Sequence, residues 1–176
     1  MAKTNSTSKR LSALSNITIL ILDRDARMLT NIKNVLIDLG FQRIFMGRDG
    51  REGLDLMERE RIQLIITDWD MGPINGIDFV NLIRNIPDPQ YRVIPVIMLT
   101  ARAEIEDVKV ARDSGITEFV AKPFTVKRLV DRIIAIVDNP RNFVLANTFK
   151  GHDRRRHMAT AEGVVEKRRR RTHLSK

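Results

Sequence analysis

Residues 64–79 read LIITDWDMGPINGIDF, and the rest of the chain is organised around this stretch. Leu64, Ile65 and Ile66 form an apolar run that is too short for a helix, and polar residues follow it at once. Glycine, proline and asparagine residues at positions 72 to 76 mark a turn. Apolar residues then recur at helical spacing, at Phe79, Leu82, Ile83 and Ile86. The stretch therefore predicts a buried strand, an acidic loop and a helix.

The same alternation fills residues 15–139, which we interpret as one domain. Apolar runs predict further strands at 17–22, 43–46, 93–100 and 118–121. Helical patterns follow the strands, and they end near 39, 60, 85, 114 and 137. Five strands alternating with five helices predict an α/β fold, a parallel sheet with helices on both faces. We expect the second strand in sequence at an edge of the sheet and Asp68 near its centre.

Composition restricts the classes of protein that the chain can belong to. The chain has 176 residues and no cysteine, which excludes a disulfide framework and a thiolate metal site. Residues 1–14 are polar, and we interpret them as a flexible segment without the apolar core of a signal peptide. No segment approaches the roughly 20 apolar residues that span a membrane. These features favour a cytoplasmic protein.

The positive charge is concentrated in the tail, residues 140–176. Residues 139–176 hold 11 lysines and arginines against 3 acidic residues, whereas the whole chain carries +9. Such a composition predicts a mostly disordered, solvated tail. A second interpretation is a docking segment, in which the apolar residues between Phe143 and Phe149 anchor the tail. Its arginines would then contact an acidic protein, an anionic lipid or a nucleic acid.

Polar residues follow four of the predicted strands, at Asp23-Arg24-Asp25, Asp68, Thr100 and Lys122. In a parallel sheet these strand ends open on the same edge, where open α/β sheets bind their ligands. An aspartate can form an acyl phosphate, and a lysine and a hydroxyl can bind the phosphoryl oxygens. The cluster therefore indicates phosphoryl transfer.

These motifs resemble the receiver domain of bacterial response regulators, close to the single-domain chemotaxis type. The resemblance covers residues 17–137. It rests on the 17-residue step from Asp23 to Gly40 before Phe41, and on three motifs in order, DWDM at 68–71 with Gly76, LTA at 99–101 and KPF at 122–124. It implies a flavodoxin-like fold and a signalling role rather than an enzyme. It also implies a histidine kinase or phosphotransfer protein as phosphodonor, and a downstream protein target.

The resemblance also assigns roles to single residues. Asp68 becomes the phosphoacceptor, Lys122 the phosphate-binding lysine, and Thr100 and Phe119 the switch residues. The peptide bond between Lys122 and Pro123 is expected to be cis.

Arg24 departs from the family pattern, because it occupies the position of a second acid that ligates Mg²⁺. The remaining candidate ligands are the carboxylates of Asp23 and Asp68 and the backbone carbonyl of Asp70, with Asp25 as a further candidate. We expect the guanidinium of Arg24 to pair with these carboxylates, so that Mg²⁺ binding is weak or absent.

Two alternative functions remain open at this point. The first is a pseudo-receiver that docks partners without phosphorylation, because Arg24 replaces the metal-binding acid. The second is a haloacid-dehalogenase-like phosphohydrolase with Asp23 as nucleophile, which the sequence LDRD at 22–25 resembles. Ala26-Arg27 breaks that motif, and no acidic pair follows Lys122.

Overall fold

The computed structural model describes residues 16–138, 143–146 and 149–152. It contains a five-stranded sheet in the order β2-β1-β3-β4-β5, and every neighbouring pair is parallel. The strands are β1 (Thr18–Leu22), β2 (Arg43–Gly47), β3 (Leu64–Thr67), β4 (Val96–Thr100) and β5 (Glu118–Ala121). The predicted sheet, with the second strand at an edge and β3 at the centre, is confirmed.

The central strands are buried along their whole length, which explains their continuous apolar runs. Successive side chains point to opposite faces of the sheet. Leu20, Ile65 and Met98 therefore pack on one face. Ile19, Ile66 and Ile97 pack on the other. β4 begins at Val96 rather than at residue 93, and the carbonyl of Pro95 accepts a hydrogen bond from Ile65 just before it.

Six helices cover the sheet within the part of the chain that the structure describes. They are α1 (Ala26–Asp38), α2 (Gly50–Arg59), α3 (Gly76–Asn85), α4 (Pro89–Arg92), α5 (Ile105–Asp113) and α6 (Val126–Asp138). The sequence predicted a loop where α4 forms. The signals for this short helix are present, since Asp88 accepts a hydrogen bond from the backbone of Gln90 and Pro89 occupies the first turn.

Helix α3 contradicts part of its predicted pattern. Leu82, expected in the core, is 45% exposed, whereas Arg84 is only 1% exposed. The Arg84 guanidinium donates hydrogen bonds to the carbonyls of Gly115, Tyr91 and Ile94 at 2.8 to 3.3 Å. Arg84 thus joins α3 to the segments that precede β4 and β5. Burial lowers the pKa of Arg84 to about 9, so the side chain stays protonated at neutral pH.

The basic tail contains regular structure that the sequence did not predict. β6 (Phe143–Ala146) and β7 (Phe149–His152) form an antiparallel hairpin, and β7 lies beside α5. The other predictions for the tail and for residues 1–14 concern positions outside the described residues. None of the helices in the described part of the chain has the length and apolar character needed to cross a bilayer.

Candidate functional site

The carboxyl edge of the sheet brings together the four strand ends that the sequence singled out. Backbone hydrogen bonds fix their positions: Asp68 N donates to Leu22 O and Lys122 N donates to Thr100 O, both at 2.8 Å. Asp23, Asp68 and Lys122 directly follow their strands, and Thr100 ends β4, so all four lie on one edge of the sheet. The peptide bond between Lys122 and Pro123 is cis, as expected.

Lys122 bridges two carboxylates at this edge. Its Nζ lies 2.8 Å from Oδ2 of Asp23 and 3.3 Å from Oδ2 of Asp68. The three side chains are largely buried, with 4% of Asp23, 12% of Asp68 and 18% of Lys122 exposed. One ammonium between two carboxylates leaves one negative charge uncompensated. The pocket therefore attracts a further cation.

The two carboxylates differ in how their oxygens are bound. Asp23 Oδ1 accepts from the backbone N–H of Asp25 at 2.9 Å, and its Oδ2 faces Lys122. Asp68 Oδ1 accepts from the N–H of Trp69 at 2.8 Å, while its Oδ2 has the longer contact with Lys122. Asp23 is buried and held at both oxygens, which makes it a poor nucleophile. Asp68 is the better candidate, and the phosphohydrolase hypothesis gains no support from this geometry.

The protein environment disfavours the ionised form of the Asp68 carboxyl group. Burial raises the pKa of Asp68, Lys122 opposes this effect, and the nearby charge of Asp23 adds to it. An aspartate whose pKa is higher in the folded state than in the unfolded state stabilises the fold when it is protonated. This contribution to the free energy of unfolding is fully present below the unfolded pKa of about 3.9, and it is lost as the pH rises through the folded pKa. The ionised form at neutral pH therefore destabilises the folded state.

We expect Asp68→Asn to raise the free energy of unfolding at neutral pH, because it removes a partly desolvated charge while Lys122 keeps its shorter contact with Asp23. Urea unfolding of both proteins at pH 7 and at pH 4 measures this effect. The gain should shrink at pH 4, where the wild-type carboxyl is closer to neutral. A variant less stable than wild type at pH 7 would contradict the argument.

Arg24 does not take the expected position. Its side chain is exposed, and no ion pair joins it to a carboxylate within the described residues. Lys122 takes that role instead. Asp25 is also committed elsewhere, because its carboxylate caps α1 by accepting from Arg27 N at 2.8 Å. Within the described residues, neither Arg24 nor Asp25 forms an ion pair or a side-chain hydrogen bond with Asp68.

The two switch candidates lie on adjacent strands. Thr100 is fully buried, and its Oγ1 accepts a hydrogen bond from the backbone N–H of Arg102 at 3.1 Å. Its hydroxyl proton remains available to a further acceptor. Phe119 is half-buried and packs against the core on the face that contains Met98.

Gly76 holds the start of α3 against the loop that contains Asp68, the phosphoacceptor candidate. Its N–H donates to the carbonyl of Trp69 at 2.9 Å. A Cβ atom at position 76 would collide with the backbone carbonyl of Asp68. A glycine is therefore required where α3 begins, because the two backbone segments are in direct contact.

Arg102 contacts residues of the candidate site and was not among the site residues predicted from the sequence. Its Nε lies 3.1 and 3.0 Å from the two carboxylate oxygens of Asp70, and its Nη2 lies 2.8 Å from Oδ1. Its guanidinium also stands 5.5 Å from the centroid of the Trp69 ring. The only signal in the sequence was its place two residues after Thr100.

The residues present fit a site for a hard divalent cation. Two carboxylates, those of Asp23 and Asp68, and the backbone carbonyl of Asp70 supply oxygen ligands of the kind that Mg²⁺ prefers. No group of three or more Asp, Glu or His side chains with metal-binding geometry occurs in the described ranges. Water molecules would have to complete the coordination shell.

Comparisons with known proteins agree with this geometry. The model of the response regulator receiver domain matches residues 19–134. Chemotaxis protein CheY-3 of Vibrio cholerae is 33% identical over 123 residues, which covers 70% of this chain and 93% of the relative. Chemotaxis protein CheY of Pseudomonas aeruginosa is 34% identical over 120 residues, covering 68% of this chain and 95% of the relative.

Solved structures show the same fold. The structure of the chemotaxis response regulator CheY4 of Vibrio cholerae superposes with a TM-score of 0.63 at 27% identity, covering 68% of this chain and 98% of that chain. A CheX-CheY-BeF3-Mg+2 complex from Borrelia burgdorferi gives a TM-score of 0.63 at 21% identity, covering 69% and 89%. The chain therefore belongs to the response regulator receiver domain family, which serves two-component signalling.

Proposed function

We propose that the protein accepts a phosphoryl group on Asp68 and relays this signal by contact with another protein. The observation that carries the proposal is the ammonium of Lys122, which lies against Asp68 Oδ2 where a transferred phosphoryl group would be attached. Phosphoryl transfer needs positioned positive charge more than covalent chemistry from the protein. The site supplies that charge and a nucleophilic carboxylate together.

The transfer balances with a phosphohistidine as donor. An oxygen of Asp68 forms a bond to phosphorus as the bond between phosphorus and the histidine nitrogen breaks. The electron pair of that bond stays on the imidazole, which then takes a proton from water. Lys122 holds one phosphoryl oxygen, and the free proton of the Thr100 hydroxyl is available to another. A bound Mg²⁺ would neutralise charge on the phosphoryl oxygens.

An apolar groove beside the site suits the phosphodonor protein. It has a volume of about 520 Å³ and runs between α1 and the start of α6, with Met28, Lys122 and Phe124 in its lining. Because Lys122 contributes to both the groove and the site, a protein docked there would present its histidine near Asp68. We propose a histidine kinase or phosphotransfer protein as the partner, and the cytoplasm as the compartment.

The second candidate is a pseudo-receiver that docks partners without phosphorylation. Arg24 favours it, because an arginine cannot ligate a cation and brings a permanent positive charge to the loop after β1. The retained arrangement of Asp68, Thr100 and Lys122 favours the working receiver.

Incubation of the full chain with acetyl phosphate and Mg²⁺ tests the proposal. We expect wild type to gain the mass of one phosphoryl group and Asp68→Asn to gain none, because the amide is not a nucleophile. Asp70→Asn is the matched control, since its backbone carbonyl is retained, and it should still be modified. An unmodified wild type, or an adduct that survives in Asp68→Asn, would overturn the proposal.

A further inference from the structure

Arg102 contacts the two residues that follow the phosphoacceptor candidate Asp68, and it also contacts the hydroxyl of Thr100. Its guanidinium binds the carboxylate of Asp70 and covers the ring of Trp69, the two residues that follow Asp68. Its backbone N–H binds the hydroxyl of Thr100. A single residue on the loop after β4 thus contacts the switch hydroxyl and the two residues that follow Asp68.

The ion pair between Arg102 and Asp70 can be exchanged for another one. Arg102 is 50% exposed and Asp70 is 41% exposed, so water screens their attraction. Exposed pairs of this kind contribute little to stability. The hydrogen bond with Asp70 raises the pKa of Arg102, and the charges of Asp70, Asp107 and Asp68 add to this effect. The guanidinium also lies over the ring of Trp69, the residue directly after Asp68.

Phosphorylation would change the balance between the two possible anionic partners of Arg102. A phosphoryl group brings about two negative charges and three acceptor oxygens. The pocket already has one uncompensated negative charge, because Lys122 balances only one of the carboxylates of Asp23 and Asp68. The planar guanidinium can donate to phosphate oxygens through two parallel hydrogen bonds, and a phosphoryl group carries more negative charge than the carboxylate of Asp70.

We propose that Arg102 moves from Asp70 to the phosphoryl group on Asp68 and is a phosphoryl-binding residue of this site. The inference rests on the proposed function. It also gives the pocket a second cationic group besides Lys122.

The test compares two substitutions that both break the ion pair. The rate of adduct formation with acetyl phosphate is measured by mass spectrometry on the full chain, for Arg102→Gln, Asp70→Asn and the double variant. If Arg102 binds the phosphoryl group, Arg102→Gln should slow formation about tenfold, since a hydrogen bond to a charged group is lost. Asp70→Asn frees the arginine and should react at least as fast as wild type. The double variant should behave like Arg102→Gln.

A merely structural role for the ion pair predicts a different pattern. Arg102→Gln and Asp70→Asn would then change the rate equally, which would overturn the proposal. Arg112→Gln is the matched control, because Arg112 is a 49% exposed arginine paired with Asp113. Its rate should equal that of wild type.

Trp69 gives a second readout, since it is the only tryptophan in the chain and lies under Arg102. Its emission should change on phosphorylation of wild type, and this change should be at least halved in Arg102→Gln. An adduct that forms at the wild-type rate in Arg102→Gln overturns this inference alone. A wild type that forms no adduct overturns the proposed function and the inference with it.

Discussion

Replacing Arg24 by aspartate should strengthen Mg²⁺ binding at least about tenfold, which corresponds to roughly 1.4 kcal/mol. The substitution removes one positive charge and adds one negative charge directly after Asp23, at the edge of the pocket. A unit charge 4 Å from another contributes about 1 to 4 kcal/mol between bulk water and a protein surface. It also restores an oxygen ligand, which a hard cation prefers to water alone.

A titration of Mg²⁺ followed by Trp69 emission measures the change, because the tryptophan adjoins Asp68. Arg27→Asp is the matched control. Arg27 is exposed on α1 near the same edge, so the variant changes the net charge equally without adding a ligand. We expect it to shift the dissociation constant far less than Arg24→Asp. Tight binding by wild type, unchanged by Arg24→Asp, would contradict the interpretation of Arg24.

Replacing Arg84 by methionine should lower the free energy of unfolding by about 3 kcal/mol or more, because buried carbonyls lose their donors. Gly115, Tyr91 and Ile94 all direct carbonyls at the guanidinium. Methionine fills much of the volume but donates no hydrogen bond. The loss should affect the connections into β4 and β5, which are the strands that carry Thr100 and precede Lys122.

Urea unfolding followed by circular dichroism tests this expectation. Arg84→Lys keeps a positive charge but cannot reach all three carbonyls, so its stability should be intermediate. Arg112→Met serves as the control for loss of an exposed arginine and should stay within about 0.5 kcal/mol of wild type. If Arg84→Met is as stable as that control, the buried hydrogen bonds do not stabilise the fold as argued.

The sheet could be predicted because each strand is marked by residues close together in the sequence. The number of strands follows from continuous apolar runs, such as that of β1, and from turn signals, such as those after β3. The parallel arrangement follows from the alternation of strands with helices. Helix α3 shows where this reasoning fails. An arginine side chain on a helix is expected to be exposed to solvent. Arg84 is buried instead, because carbonyls at three positions outside its own helix accept hydrogen bonds from its guanidinium. No periodicity within one element contains that information.

The site was predictable in part for the same reason. Strand ends on one edge brought Asp23, Asp68, Thr100 and Lys122 together, as the topology requires. The partners of the loop residues were not predictable, because loops approach each other according to lengths and turns rather than periodicity. Arg24 was expected at the carboxylates and is exposed, while Arg102 was not considered and lies over the site.

The contact between Gly76 and the carbonyl of Asp68 limits how this pocket can diversify. Position 76 admits no side chain, so no substitution there can shift the backbone of Asp68 gradually without a steric clash. Positions 24, 70 and 102 have exposed side chains and no such steric limit. We expect variants of this chain to differ in the charges at these three positions, while the contact between Gly76 and the backbone of Asp68 is retained.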